Sequence, residues 1–291
     1  MDRIVARRSA LRNGIEYLVA RAVLATVSRA PALARSYAGL LDRAIPRLRR
    51  VGLENVRAAG LPDDVVDGVF ANIARVIGTF AQFPRINAGN VREWIRYDGL
   101  ENYQEAKRRG RGVLIATAHL GNWEFSAFAH ALMTEPMWVM VRPLDNPLID
   151  RLVAGYRARS GNRVVEKKDF LRGMLKALHR NEAVGILIDQ HAAEDAVPVD
   201  FFGRKAAAAT GFVRIAHHTG ATVLPGYALW RESERRYVLR FDEPIEMTGD
   251  IARDTQRLHT HLESVIRRDP DQWLWIHRRW KSPSRTASLT A

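Results

Sequence analysis

From about residue 110 onward, short apolar runs alternate with stretches of helical periodicity, and this alternation restricts the fold more than any other feature. The runs cover 113–118, 138–142, 183–189 and 222–228, and the helical stretches between them lie near 123–133, 146–160, 170–181 and 211–219. A strand followed by a helix, repeated, predicts an α/β fold with a mainly parallel central sheet flanked by helices. A hairpin-like strand at 237–241 and a last helix over 250–268 complete the pattern. The first hundred residues read as helices and form an N-terminal helical extension. Among them Val65, Val66, Val69, Phe70, Ile73, Val76, Ile77 and Phe80 recur at helical spacing, between a start at Leu61-Pro62-Asp63 and a stop at Pro84.

Composition narrows the chemistry. Cysteine is absent, which removes disulfides, thiolate nucleophiles and Cys-ligated zinc together. Arginine and lysine number 45 against 32 acidic residues, a net charge of +13. Such a surface suits nucleic acid or an anionic membrane. No zinc-finger or RNA-recognition motif occurs, and the arginines concentrate at both ends: Arg3, Arg7, Arg8 and Arg12, then Arg43, Arg47, Arg49 and Arg50, then Arg267, Arg268, Arg278, Arg279 and Lys281. No run of 18 apolar residues predicts a spanning helix. Residues 15–34 are amphipathic instead: Ile15, Leu18, Val19, Ala22, Val23 and Thr26 share a face, and Arg12, Arg21 and Arg29 flank it. That pattern fits a helix lying in a lipid interface or one packed on the domain. The chain is therefore divided into an N-terminal amphipathic, membrane-associating segment (1–50), one α/β domain (51–283) and a flexible tail (284–291).

The candidate chemistry begins where the first strand ends. Val113-Leu114-Ile115 leads into Ala116-Thr117-Ala118-His119-Leu120-Gly121-Asn122-Trp123-Glu124, placing an imidazole and a carboxylate five positions apart at a strand-to-helix junction. Open α/β sheets place their sites at such junctions. A His oriented by a carboxylate is a general base near neutral pH, so His119 is expected to be the base and Glu124 its orienter. Two later strands also end on polar residues, Arg142 and Asp189, which a parallel sheet would bring to the same carboxyl edge. His217-His218 and His259-x-His261 lack carboxylates at ligand spacing, so they are expected to be surface or capping residues and no metal is expected. The glycines form no phosphate loop or dinucleotide fingerprint, and there is no G-x-S-x-G element. Trp273, Trp275 and Trp280 suit stacking, a membrane interface or core packing. Phe201-Phe202-Gly203 reads as a turn with an aromatic anchor.

Four blocks, in order, resemble the late acyltransferases of lipid A biosynthesis within the lysophospholipid acyltransferase superfamily, and the related phosphatidylinositol-mannoside acyltransferases. They are His119–Glu124; Val141-Arg142-Pro143-Leu144-Asp145-Asn146-Pro147; Leu187-Ile188-Asp189-Gln190 with Val197–Arg204; and Gln272-Trp273-Leu274-Trp275-Ile276-His277-Arg278-Arg279-Trp280-Lys281. The resemblance covers about residues 50–282. It implies transfer of a fatty acyl chain, without an acyl-enzyme, from acyl carrier protein or acyl-coenzyme A to a hydroxyl of a lipid A precursor. His119 would be the base and Glu124 the acid that holds it. Backbone N–H groups near Gly121 and Asn122 are the oxyanion candidates. Arg142 would bind a substrate phosphate, Asp189 would orient Arg142 or its loop, and Phe202, Gly203 and Arg204 would belong to the substrate wall.

The expected co-substrate is the thioester alone, with no cofactor. The expected partners are the glycolipid or phospholipid acceptor and an anionic membrane surface, with no nucleic acid. The expected place is the cytoplasmic face of the bacterial inner membrane, in peripheral association. The alternatives are acylation of another glycolipid or phospholipid, or a non-catalytic basic membrane- or nucleic-acid-binding protein.

Overall fold

A computed structural model describes residues 10–280, with the backbone alone for 166–170. Arg3, Arg7, Arg8, Lys281 and the expected tail lie outside the described residues. The N-terminal part comprises α1 (Ala10–Arg29), α2 (Leu33–Ala44), α3 (Pro46–Ala58), α4 (Val65–Phe80) and the single turn α5 (Val91–Trp94). Next come β1 (Ile95–Asp98), α6 (Leu100–Arg108), β2 (Val113–Thr117), α7 (Trp123–Met133), β3 (Trp138–Val141), α8 (Pro147–Arg157), β4 (Arg163–Glu166) and α9 (Lys167–His179). The remainder is β5 (Ala183–Leu187), β6 (Ala196–Phe201), β7 (Arg204–Ala209), α10 (Gly211–Thr219), β8 (Thr222–Arg231), β9 (Arg236–Phe241) and α11 (Ile251–Arg268).

Seven strands form one sheet in the order β1-β9-β8-β2-β5-β3-β4. Strands β8, β2, β5, β3 and β4 are mutually parallel; β9 runs antiparallel to β8, and β1 pairs parallel with β9. The fold class is the one the alternation implies. The central strands β2 and β5 are almost wholly buried, as expected for strands covered on both faces. One apolar cluster fills the space between this sheet, α7 and the short segment around Phe83, and a second lies under α9 and α10.

Several elements differ from the sequence expectation. The amphipathic run 15–34 is broken at Arg29, just before Pro31, whose ring cannot sit in a helix interior. Edge strands β1 and β4 are only four residues long, too short to show a period. The hairpin β6–β7 hides behind the weak strand propensity of Arg204–Ala209, four of whose six residues are alanine. Its two-residue turn has φ 54° at Phe202 and 70° at Gly203, the signs of a type I′ turn.

Helix α1 is only partly packed. Val27 is buried against α4, whereas Leu11, Ile15, Leu18 and Val19 are 75%, 54%, 64% and 58% exposed on one face. No helix among the described residues is long and apolar enough to cross a membrane.

The loop from β2 to α7 depends on Gly121. Its φ is +62°, and a Cβ there would lie 2.0 Å from the Ala228 carbonyl oxygen. Gly121→Ala is therefore expected to destabilise the protein by more than about 2 kcal/mol, read as a lower midpoint in urea unfolding.

Candidate active site

The site follows from strand register. Strands β2 and β5 are parallel neighbours with Thr117 opposite Leu187. The Ile188 N–H donates to the Thr117 carbonyl at 2.9 Å, extending the ladder one step past both strands. Continuing the register by two residues sets His119 beside Asp189, and there the two side chains meet. Nδ1 of His119 lies 2.9 Å from Oδ1 of Asp189, and the His119 backbone N–H donates to Oδ2, also at 2.9 Å. The indole N–H of Trp273 donates to the same Oδ2 at 2.9 Å. Asp189 is wholly buried, and its carboxylate accepts three hydrogen bonds.

These contacts define the ring's chemistry. With Nδ1–H donating to Asp189, Nε2 is the nitrogen left to accept a proton. Burial alone would lower the His119 pKa, but the charge and hydrogen bond of Asp189, with the charge of Glu124, hold it above the ordinary value. Burial alone would raise the Asp189 pKa, yet His119, His277 and the Trp273 bond hold it far below the carboxylate range. Trp123 meets the His119 ring edge-on, with centroids 5.1 Å apart. His277 stands 6.4 Å away; its Nδ1 is bonded to the Leu274 carbonyl, and burial lowers its pKa.

Glu124 does not orient the imidazole. Its carboxylate takes both arms of the Arg157 guanidinium, at 2.8 and 2.6 Å, and so ties α7 to α8. It sits in the first turn of α7, while the ring nitrogen that an orienter would engage is already bonded across the sheet. Gly121 and Asn122 also differ from expectation. The Gly121 N–H donates to the Gln272 carbonyl at 2.9 Å, and that of Asn122 to the Ala228 carbonyl at 2.8 Å, so neither is open to an oxyanion. Asn122 instead caps α7, its Oδ1 accepting from the Phe125 N–H at 3.0 Å. The N–H groups of Trp123 and Glu124, first in the helix, are those that helix geometry leaves without an intrahelical acceptor.

The other expected site residues are spread out. The Arg142 side chain is 86% exposed and meets Asp145 at 3.4 Å; Asp189 neither contacts it nor orients it. Phe202 is buried against Trp273 and Trp275, so it backs the Asp189 partner rather than facing His119. Gly203 forms the hairpin turn beside it, and the Arg204 guanidinium lies 5.2 Å from the Trp280 ring centroid. His259 is buried rather than superficial, and His217 and His261 are bonded to Asp254 and Asp242. No group of three His, Cys, Asp or Glu suited to a metal occurs among the described residues.

Sequence reasoning missed the role of the C-terminal segment. Leu120 bridges to Trp273, and the Leu274 N–H donates to the His119 carbonyl at 3.0 Å, so this segment pairs with the loop that carries His119. Arg279 is also fully buried here. It donates one bond to the Ala207 carbonyl at 2.8 Å and lies over the Phe201 ring, and burial brings its pKa down to about 10. The fourth sequence block contained these residues, but nothing in it indicated that Trp273 bonds Asp189.

The chain thus holds a buried His–Asp pair at adjacent parallel strand ends and no cysteine. The family model of the bacterial lipid A biosynthesis acyltransferases matches residues 56–282, and the chain belongs to that family. It is an acyltransferase. A lipid A biosynthesis acyltransferase of Haemophilus influenzae is 25% identical over 74% of this chain and 68% of its own length. The lipid A biosynthesis lauroyltransferase of Escherichia coli is 30% identical over 66% of this chain. The match spans 63% of that enzyme, a little under two thirds of its length. A phosphatidylinositol mannoside acyltransferase of Mycolicibacterium smegmatis is 24% identical over 76% of this chain and 74% of its own length.

Because Asp189 raises the His119 pKa, Asp189→Asn is expected to move the acid limb of the pH–rate profile to lower pH. It should also lower turnover by about 10²–10⁴-fold. Steady-state rates from pH 5 to 9 check both.

Proposed function

We propose that the protein transfers a fatty acyl chain from an acyl thioester, on acyl carrier protein or coenzyme A, to a hydroxyl of a lipid A precursor. The observation that carries this reading is the His119–Asp189 pair, bonded through Nδ1 at the carboxyl edge of the sheet in a member of this acyltransferase family. In this mechanism Nε2 of His119 takes the proton of the acceptor hydroxyl as its oxygen attacks the thioester carbonyl carbon. The C–S bond of the tetrahedral intermediate then breaks, and the departing thiolate takes the proton back from the imidazolium. Acyl carbon passes directly from sulfur to oxygen, so no acyl-enzyme and no cofactor are needed. Asp189 fixes the tautomer and stabilises the imidazolium.

The open N–H groups of Trp123 and Glu124, at the positive end of α7, are the donors assigned to the oxyanion. The Glu124–Arg157 pair holds that helix end in place. Arg142, exposed at the end of β3, is assigned to a phosphate of donor or acceptor. Phe202 and Gly203 support Trp273 from behind, and Arg204 covers Trp280 at the rim. The exposed face Leu11, Ile15, Leu18 and Val19 on α1, in a chain of net charge +13, is assigned to an anionic lipid surface. The implied place is the cytoplasmic face of the inner membrane.

Purified protein in mixed micelles, given acyl-acyl carrier protein or acyl-coenzyme A and a panel of acceptors, is expected to add one acyl group to the lipid A precursor by mass spectrometry. His119→Ala should reduce this by about 10²–10⁴-fold. Acylation of a mannosylated phosphatidylinositol instead would assign that acceptor, and thiol release without acylated lipid from any acceptor would overturn the transfer.

Ile15→Asp with Leu18→Asp is expected to abolish flotation with anionic vesicles while leaving the thermal unfolding midpoint within a few degrees, because both side chains are exposed.

A further inference from the structure

A cleft of about 250 Å³ opens between the turn joining α1 to α2, one face of α4, and the β8–β9 end of the sheet. It is lined by two tryptophans, Trp94 and Trp230, and three arginines, Arg35, Arg75 and Arg235. Arg35 and Arg235 have no carboxylate partner among the described residues. Arg75 pairs with the exposed Glu232, at 3.7 Å, its charge also acts on Asp271, and its guanidinium lies 5.6 Å from the Trp230 ring centroid. Three cations thus line a small cavity that supplies almost no anion. Glu93 is the one carboxylate in the lining, and Gln82 and Thr79 add neutral polar groups.

Two hydrogen-bonded steps, through Gln272, lead from the cleft to the loop that carries His119. The Trp230 backbone exchanges bonds with the Gln272 side chain at 2.8 and 3.2 Å, and the Gln272 carbonyl accepts the Gly121 N–H. Trp230 and Arg235 flank the β8–β9 turn at the carboxyl edge of the sheet, the edge at which His119 and Asp189 meet.

We propose that this cleft is a second binding site, for a phosphomonoester carried on a small polar headgroup such as a single sugar ring. Guanidinium groups bind phosphate oxygens in pairs. An indole face offers apolar surface to ring C–H groups, and Glu93 and Gln82 can meet hydroxyls. The volume falls below the roughly 300–1,000 Å³ typical of sites that enclose larger organic ligands, which favours one phosphorylated ring over a nucleotide. The proposal rests on the acyltransferase reading only for the source of that ring, namely the acceptor lipid.

Two measurements on the full chain test it. Intrinsic tryptophan fluorescence is followed during titration with glucose 1-phosphate, inorganic phosphate and glucose. Saturable binding of glucose 1-phosphate is expected, at least about tenfold tighter than inorganic phosphate or glucose, and weakened about tenfold in Arg35→Ala and in Arg235→Ala. Trp230→Phe should remove most of the signal. Arg253→Ala, an exposed arginine on α11, is the charge-matched control and should change neither binding nor turnover. No saturable response, or equal affinities in wild type and both arginine variants, overturns the site. Inorganic phosphate binding as tightly as glucose 1-phosphate overturns the headgroup assignment.

Turnover is then compared on a phosphorylated acceptor and its dephosphorylated counterpart. Arg235→Ala should raise KM about tenfold more for the phosphorylated one; an equal rise for both overturns the link to the acceptor. Binding of glucose 1-phosphate by a protein that acylates no acceptor would leave the cleft standing and remove the proposed reaction, so the two failures are distinguishable.

Discussion

The buried carboxylate of Asp189 is the constraint around which the site is built. A charged oxygen pair with no solvent is tolerable only when every strong lone pair finds a donor. Here the donors are the His119 ring, the His119 backbone and the Trp273 indole. Those donors come from the end of β2 and from the C-terminal segment, so satisfying one charge fixes the relation between two parts of the chain. The aromatic cluster of Phe201, Phe202, Trp273 and Trp275 then surrounds the indole and keeps water from competing for its N–H.

Glu124 shows how much the same loop asks of a second acid. Its partner is a guanidinium from α8, and the pair is half-buried at the mouth of the site. Its charge still contributes to the raised pKa of His119, at longer range than Asp189. The two carboxylates therefore act on one imidazole in different ways. Asp189 sets the ring's orientation by direct bonding, and Glu124 adds field while anchoring the helix that supplies the first-turn N–H groups.

The α/β class, the central strands and the helices α7, α8, α9, α10 and α11 could be read from the sequence, because each carries a clear apolar period or a strong terminal signal. His119 was identifiable for the same reason: it follows an unmistakable buried strand. The acid that engages it was not, because spacing along the chain favours the residue five positions away. The actual contact crosses 70 positions and exists only through the pairing of β2 with β5. Gly121 and Asn122 stood at the right place for an oxyanion, but their N–H groups are taken by carbonyls of Gln272 and Ala228, which no local pattern reveals. The short edge strands and the alanine-rich β7 were silent for want of a period.

The pairing of Leu120 with Trp273, and of Leu274 with His119, has a consequence for when the protein becomes competent. Five of the seven strands of the sheet and both members of the dyad are encoded before residue 190, yet the indole that completes the Asp189 shell arrives 84 positions after that aspartate. A nascent chain halted before Trp273 has His119 and Asp189 but leaves a buried charge one donor short, with the loop that carries His119 unpaired. Because chains emerge from the N-terminal end, the segment around Trp273, made after both members of the dyad, works as a latch. The Asp189 carboxylate gains its full set of donors only once that segment has folded back, so the site of a partly made chain is incomplete.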